Sequence, residues 1–333
     1  MIDGQIVLHL RWALLALTIS ISTDILHIHQ YSVCDGWYSR LQCRMMMIVN
    51  SSLIVLTTAN LLGFILRRKT LACSIVSLLK IHRSIVSEPF RLPISIKILI
   101  INGIVVCSVN MVSDVLSSDN FEDLVYRIGW SYCCCYINSI VIVFFIVIQI
   151  PERCLSEMTK NLVNTPEDEL SVFFKRYVAT YDRLVDYSKT FNNCFDIQLL
   201  VAIVYAMIIN VCNLYRLISC LFDSLGPIRM IAYVCYEIQA NSGLVAIFVY
   251  CESLSRKAKA FNKALSNIAL QNVKGQYEKN PHITMHFVVR KNLKFSTYGG
   301  LTLNYRLLLS LTASCITYLM ILLQFNGSPT RQE

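Results

Sequence analysis

Charged residues are scarce: Asp, Glu, Lys and Arg supply 15% of the 333 residues, where an ordinary soluble domain carries about a quarter. That deficit excludes a water-soluble globular fold, which needs a charged surface around its core. Glycine and proline are thin as well, at 11 and 7 residues, and no glycines gather into a phosphate-cradling loop. Metal-dependent hydrolysis finds no support, because no HExxH pattern occurs and the six histidines scatter over different segments. His27 and His29 close an apolar run and read as interfacial, while His282 and His286, one helical turn apart, lack a third ligand. No nucleophile stands at a workable spacing from a base. The expectation is a protein that is not an enzyme and carries no cofactor and no metal. A nucleic-acid partner is not expected either, since aromatic and basic residues do not interleave despite a net charge of +9.

What is present is apolar. Hydrophobic residues make up 55% of the chain and mean hydropathy is +0.53, the composition of an integral membrane protein. A helix needs about 20 apolar residues to cross a bilayer, and seven such stretches fall near 6–29, 45–66, 94–116, 129–150, 196–218, 229–251 and 298–325. The apolar run after Met1 continues to Ile28 with no small-residue cleavage site, so the first span reads as a signal anchor.

Basic residues orient the bundle, because cytoplasmic connections collect Lys and Arg. Most of the 30 basic residues lie in three connections: Arg67 to Arg91, Arg153 to Lys189, and Arg256 to Lys294. Those connections therefore face the cytoplasm and its anionic lipids, with the N-terminus inside and the C-terminus outside. A G-protein-coupled-type chemoreceptor requires the opposite sense. A transporter should show internal repeats or interrupted spans, whereas the prolines fall at the edges of the expected spans or in connections.

Fourteen cysteines do not make a disulfide framework here, since most sit in spans or cytoplasmic connections, where thiols stay reduced. Cys34 and Cys43 share an external loop and could bridge. Cys133, Cys134 and Cys135 point about 100° apart on a helix and read as packing.

Two cytoplasmic connections carry helical signatures. Thr165 as N-cap, Pro166 and the acidic Glu167, Asp168 and Glu169 start one helix, whose stripe Leu170, Phe174, Tyr177, Tyr181 and Leu184 must dock on something apolar. In the other, Leu254, Ala258, Phe261, Leu265 and Ile268 repeat at steps of four and three between basic residues. That narrow stripe, without Trp, suits a subunit contact better than the lipid surface. Gly275 to Pro281 then breaks the chain, and Ile283 to Leu293 suits a short helix.

The last span is apolar except on one line. Ser310, Ser314, Thr317, Ile321 and Gln324 follow at steps of four, three, four and three, which aligns them on one helical face. Two readings fit: a conduit wall with an apolar constriction, or helix packing through small residues.

Thr317-Tyr318, the five apolar residues Leu319 to Leu323, then Gln324-Phe325 form a nine-residue pattern that resembles the end of the seventh span in the insect gustatory receptor family, relatives of insect odorant receptors. Phe295-Ser296-Thr297-Tyr298-Gly299-Gly300 before it is similar too, as is, less sharply, Tyr181 to Gln198 with Leu184, Asn192, Asn193 and Phe195. Sequence likeness is confined to these stretches, topology extends it over the chain, and the segment ahead of the first span is shorter than usual in the family. The resemblance implies an all-α membrane protein of seven transmembrane helices with extensions into a cytoplasmic anchor region, assembled as a tetramer. It implies a tastant-gated, non-selective cation channel in the plasma membrane of gustatory neurons, passing monovalent cations and calcium, as a homotetramer or a heteromer with sister receptors. Gln324 and Phe325 would then form the gate, with Thr317, Tyr318, Ile321, Ser314 and Ser310 lining or bracing the pore. The ligand would be a sugar or a plant secondary compound. Leu319 stands where the sugar-receptor branch has Glu, which argues against that branch and leaves bitter-type or fructose-type tuning open.

In such a channel the ligand cleft opens outward within each subunit, and topology selects its candidates: Asn110 and Asp114, then Trp130, Tyr132 and Tyr136, then Asn210 and Asn213, then Tyr233, Tyr236, Glu237 and Gln239. Aromatic walls with a few amides and carboxylates suit a polar organic ligand. Interfacial anchoring of the aromatics and amide bridges between helices are the plainer alternatives. Glu237 and Asp114 stand out because an acid within a span is costly unless it meets water, a base or a ligand, and Arg216 is their nearest basic candidate. The expected organisation is a ligand-sensing bundle over 1–251, an amphipathic anchor helix and linker over 252–297, and a pore helix with a short tail over 298–333.

Overall fold

A computed structural model describes residues 40–86, 121–164, 167–222, 227–271 and 293–326, together with part of 94–112. Five helices carry it: α1 (Arg40–Ile85), α2 (Phe121–Asn164), α3 (Glu167–Phe222), α4 (Pro227–Gln271) and α5 (Tyr305–Asn326). The described residues between 94 and 112 are helical as well. Among the described residues the sole extended pairing is an isolated antiparallel bridge between Ser296 and Thr302. Expected features over 1–39, at Thr165 and Pro166 and over 272–292 lie outside the described residues, as does Cys34.

Helix length separates a membrane part from what lies beyond it. The 56 residues of α3, at about 1.5 Å each, reach about 84 Å, far more than the ~30 Å of a hydrocarbon core. Three described stretches are long and apolar enough to cross a membrane: Ser139–Asn164, Phe173–Tyr215 and Tyr305–Gln324.

The extensions pack against one another. Cys154, Leu155, Met158 and Leu162 of α2 meet Phe174, Tyr177, Tyr181 and Leu184 of α3 and Leu254, Ala258, Phe261 and Leu265 of α4 in one buried cluster. Tyr181 stacks on Phe261 with ring centroids 5.2 Å apart, and its hydroxyl accepts a 2.9 Å hydrogen bond from the Asn262 amide. Each such large apolar side chain, fully buried, contributes about 1.5–3 kcal/mol before chain entropy is counted. At the margin of this core the Glu152 carboxylate receives Lys257 Nζ at 3.0 Å and the Ser253 hydroxyl at 2.8 Å, tying α2 to α4.

Three expectations change, and one connection gains its structure. The α4 stripe, expected to meet another subunit, is spent inside its own, because it faces the matching stripe of α3. The basic connection after Leu66, given no secondary structure by the sequence, is helical: α1 continues through Arg67, Arg68, Lys69 and Lys80 to Ile85, as Lys and Arg are good helix formers. Pro151 sits within α2 instead of ending a span. The last helix begins at Tyr305, seven residues inside the apolar run from Tyr298. The residues before it form a tight turn in which Gly299 and Gly300 both take positive φ, 87° and 80°, a region closed to most side chains.

Candidate functional site

Two opposite faces of α5 do different things. Leu307, Leu308 and Leu311 pack on the main core, Cys315 is buried, and Leu319, Leu322 and Leu323 pack against Ile209, Cys212 and Tyr215 of α3. At about 100° per residue these positions share one side of the helix. The polar line lies across from them: Ser310, Thr317, Ile321 and Gln324 are exposed and Ser314 is half-buried. Only 6% of the most apolar stretch of α5 is buried. Leu309, Ile316, Met320 and Tyr318 are exposed on the flanks, so most of this helix awaits lipid or another chain.

The hydroxyls of the stripe are held along their own helix. Ser314 donates to the Ser310 carbonyl at 3.0 Å and Thr317 to the Ala313 carbonyl at 3.0 Å. Their donors are satisfied without water, while the oxygens still accept. The side chain of Phe325 lies outside the described set.

The loop leading into α5 is docked on the middle of α3. Leu303 N–H donates to the Phe295 carbonyl at 2.9 Å, Thr297 N–H to Leu301 at 3.0 Å and Gly300 N–H to Thr297 at 3.0 Å, closing a small hairpin whose Phe295, Thr297 and Leu303 are buried. Asn192 grips its backbone from α3: the side-chain amide donates to the Ser296 carbonyl at 3.0 Å, and its oxygen accepts from Ser296 N–H at 3.3 Å. Tyr298 N–H donates to the Asp196 carbonyl at 3.1 Å. Beneath, Phe295 meets Phe144 edge-on with centroids 6.0 Å apart, and Phe144 stacks on Phe191 at 5.7 Å. Two of the stretches carrying the family resemblance, 181–198 and 295–300, are thus one contact in space.

Of the ligand-cleft candidates, the structure brings Glu237 and Asn213 together. Glu237 Oε1 accepts from Asn241 Nδ2 at 2.8 Å, and Asn213 lies close enough to act on the carboxylate electrostatically. Asn210 and Asn213 are both buried. Glu237 Oε2, Asn213 Nδ2, Asn210 Oδ1 and the Tyr215 hydroxyl are among the buried polar atoms of the described residues without a hydrogen-bond partner, the situation in which a further polar group is wanted. Trp130, Tyr132 and Tyr136 lie in α2, and Tyr233, Tyr236 and Gln239 in α4, with side chains outside the described set, as is that of Arg216. Asn110 and Asp114 lie outside the described residues. Asn241 joins this site without having been singled out by sequence. Asn241 sits one turn beyond Glu237, a spacing that could have suggested it.

Residues 3–326 match the model of the 7tm chemosensory receptor family. Among solved structures, the insect olfactory receptor OR5 from Machilis hrabei aligns with a TM-score of 0.67 at 11% identity, covering 94% of this chain and 88% of that one. The same receptor in complex with eugenol aligns with a TM-score of 0.61 at 12% identity, over 93% of this chain and 88% of that one. No curated protein matches by sequence.

Proposed function

Because the chain belongs to the 7tm chemosensory receptor family, which takes in insect odorant and gustatory receptors, we propose that it is a gustatory receptor working as a tastant-gated, non-selective cation channel. Four copies surround a pore lined by α5, with the N-terminus cytoplasmic, and the sensing bundle (1–251), anchor segment (252–297) and pore segment (298–333) divide the labour. The observation that carries this reading is the geometry of α5. Its polar line lies opposite the face that packs on its own subunit, and almost none of the helix is covered. A helix so placed supports an assembly in which stripes from several copies face a shared axis, with Leu309, Ile316 and Met320 on one flank and Tyr318 on the other meeting neighbours or lipid.

Gln324 and Phe325 stand at the outer end of that line as the gate and filter, with Ile321 as an apolar constriction below them. Thr317, Ser314 and Ser310 continue the wall, and Tyr318 braces it. The ligand site is the outer cleft around Glu237, Asn213 and Asn210, where amides and a carboxylate offer donors and acceptors to a polar organic tastant. Tyr233, Tyr236, Gln239, Trp130, Tyr132, Tyr136, Asn110 and Asp114 complete the cleft in this reading. The eugenol complex of the olfactory relative supports a small organic molecule as the ligand class. Sodium, potassium and calcium are the permeant ions, and the cell is a gustatory neuron.

The test is ion selectivity. In cells expressing the full chain, Gln324→Ala is expected to shift the calcium-to-sodium permeability ratio at least twofold; an unchanged ratio and rectification would remove α5 from the pore. The mass of the purified particle in detergent checks the four-subunit assembly, and a stable monomer that conducts no current in bilayers refutes it.

A further inference from the structure

One ion pair joins α1 to the turn that holds the loop before α5. Arg67 on α1 donates through Nη1 to Asp196 Oδ1 at 2.5 Å and to the Asn193 backbone carbonyl. Both acceptors lie on one turn of α3. The other side of that turn carries the loop before α5, through the Asn192 clamp on Ser296 and the Asp196 carbonyl under Tyr298. Arg67 is 35% exposed and Asp196 18%, so water screens the pair only partly.

We propose that Arg67 and Asp196 are positioning residues for gating: they lock α1 to the 192–196 turn of α3 and thereby fix where the α5 loop sits and how α5 leans on the bundle. The inference rests on the reading that α5 lines the pore, but goes beyond it by naming what sets the helix's resting position. The loop is stiff enough to transmit the setting. Three internal backbone bonds close it, two adjacent glycines hold its turn at positive φ, and Phe295 and Leu303 bury its ends. A displacement of α1 along α3 loads the same turn that grips Ser296 and Tyr298. The next rigid element in the chain is α5 itself.

The pair's two members lie on different helices and touch neither the polar line of α5 nor the Glu237 cluster, so their effect is predicted on the resting equilibrium and not on ion selectivity. Losing a charge-assisted contact of this kind should change an equilibrium about fivefold to tenfold.

The full chain is expressed in oocytes, and resting sodium current is measured with no tastant added and normalised to surface protein by biotinylation. Arg67→Glu and Asp196→Arg are each expected to raise resting current about fivefold to tenfold at unchanged calcium-to-sodium permeability ratio. The double variant, with the charges exchanged, regains the ion pair but not the donor to the Asn193 carbonyl, and should recover at least half of the rise. Single variants at the parent's resting current overturn the proposal. So does an exchange that recovers none of the rise, since the pair would not then be the agent. If Arg67→Glu does not reach the surface, Arg67→Gln, which keeps a donor for the Asn193 carbonyl and loses the charge, is measured under the same criteria.

A readout independent of conduction separates this inference from the pore reading. A cysteine placed at Ser310 is modified with an impermeant thiol reagent, with the parent chain as background. Arg67→Gln should change the rate severalfold, and an unchanged rate overturns the positioning role. A changed rate together with an unaltered permeability ratio in Gln324→Ala would sink the pore reading and leave the positioning role standing.

Discussion

Asn192→Ala removes the clamp that fixes the approach to α5, and its cost can be worked from the geometry. Two hydrogen bonds are lost, at 3.0 and 3.3 Å, each contributing about 0.5–1.5 kcal/mol net. Asn192 is 6% exposed, so the alanine leaves the Ser296 N–H and carbonyl facing a small apolar gap, although Ser296 itself is half-buried and water reaches part of it. The longer, weaker bond belongs at the low end of the range, giving a total of about 1–2 kcal/mol. With an unfolding entropy of roughly 2.1 cal/mol/K per residue, that lowers the melting temperature of the detergent-solubilised protein by about 1.5–3 °C. If the loop undocks before the bundle melts, the loss appears instead as faster proteolysis within 293–304. Asn192→Asp should be no better than alanine: one oxygen still accepts from Ser296 N–H, but the other confronts the Ser296 carbonyl in place of a donor. An unshifted melt together with unchanged cleavage in Asn192→Ala would refute the reasoning. So would an aspartate variant as stable as the parent.

Phe144→Ala opens a hole among Phe145, Phe191, Phe195 and Phe295 and should cost about 3–5 kcal/mol, read as loss of surface protein on western blots of biotinylated cells. Glu237→Gln keeps an acceptor for Asn241 and should leave folding intact while shifting the dose–response to an activating tastant by about tenfold, the loss of one hydrogen bond to a charged group; an identical curve would take Glu237 out of the ligand cleft. Burial, with the Arg153 charge beside it, holds His82 below its ordinary value of 6.5. The fold favours neutral His82, so its stabilising effect is complete above that pH and is lost as pH falls through it toward the lower folded value. Melting temperature should drop as pH falls below about 6.5 in the parent, and less steeply in His82→Gln.

Periodicity marks a face without naming its partner. The stripes Phe174 to Leu184 and Leu254 to Leu265 were legible as apolar lines, and both are buried, but nothing in their spacing says that they meet each other and not a second subunit. Hydropathy is also blind to backbone dihedrals. Tyr298 to Asn304 scores as part of a span, yet the adjacent positive φ of Gly299 and Gly300 turns the chain there and delays α5 to Tyr305. Charge counting has the complementary weakness. It places Arg67 in a connection because charge orients a membrane protein, but says nothing of the helix that carries it or of its bond to a residue 129 positions away. The site divides along the same line. The α5 stripe was readable because one helix carries all of it, while the approach of Glu237 to Asn213 depends on two helices and on no local pattern.

Satisfied hydroxyls make the stripe on α5 an ambiguous signal when taken alone. Ser314 and Thr317 spend their donors on their own helix, so neither requires water, and the same five positions would serve a dry contact between helices. Position decides between the two. A packing stripe within the subunit belongs on the face that touches the subunit, and that face is instead occupied by Leu308, Leu311, Cys315, Leu319 and Leu322, leaving the polar line turned away. Lipid is a poor neighbour for an exposed Gln324 at the end of such a line, because hydrocarbon offers an amide no hydrogen-bonding group. What remains is water or the same stripe on another copy. A shared axis would supply both, and the proposed channel needs both at once: wet polar turns facing that axis, with the flanks of neighbouring helices closing around it.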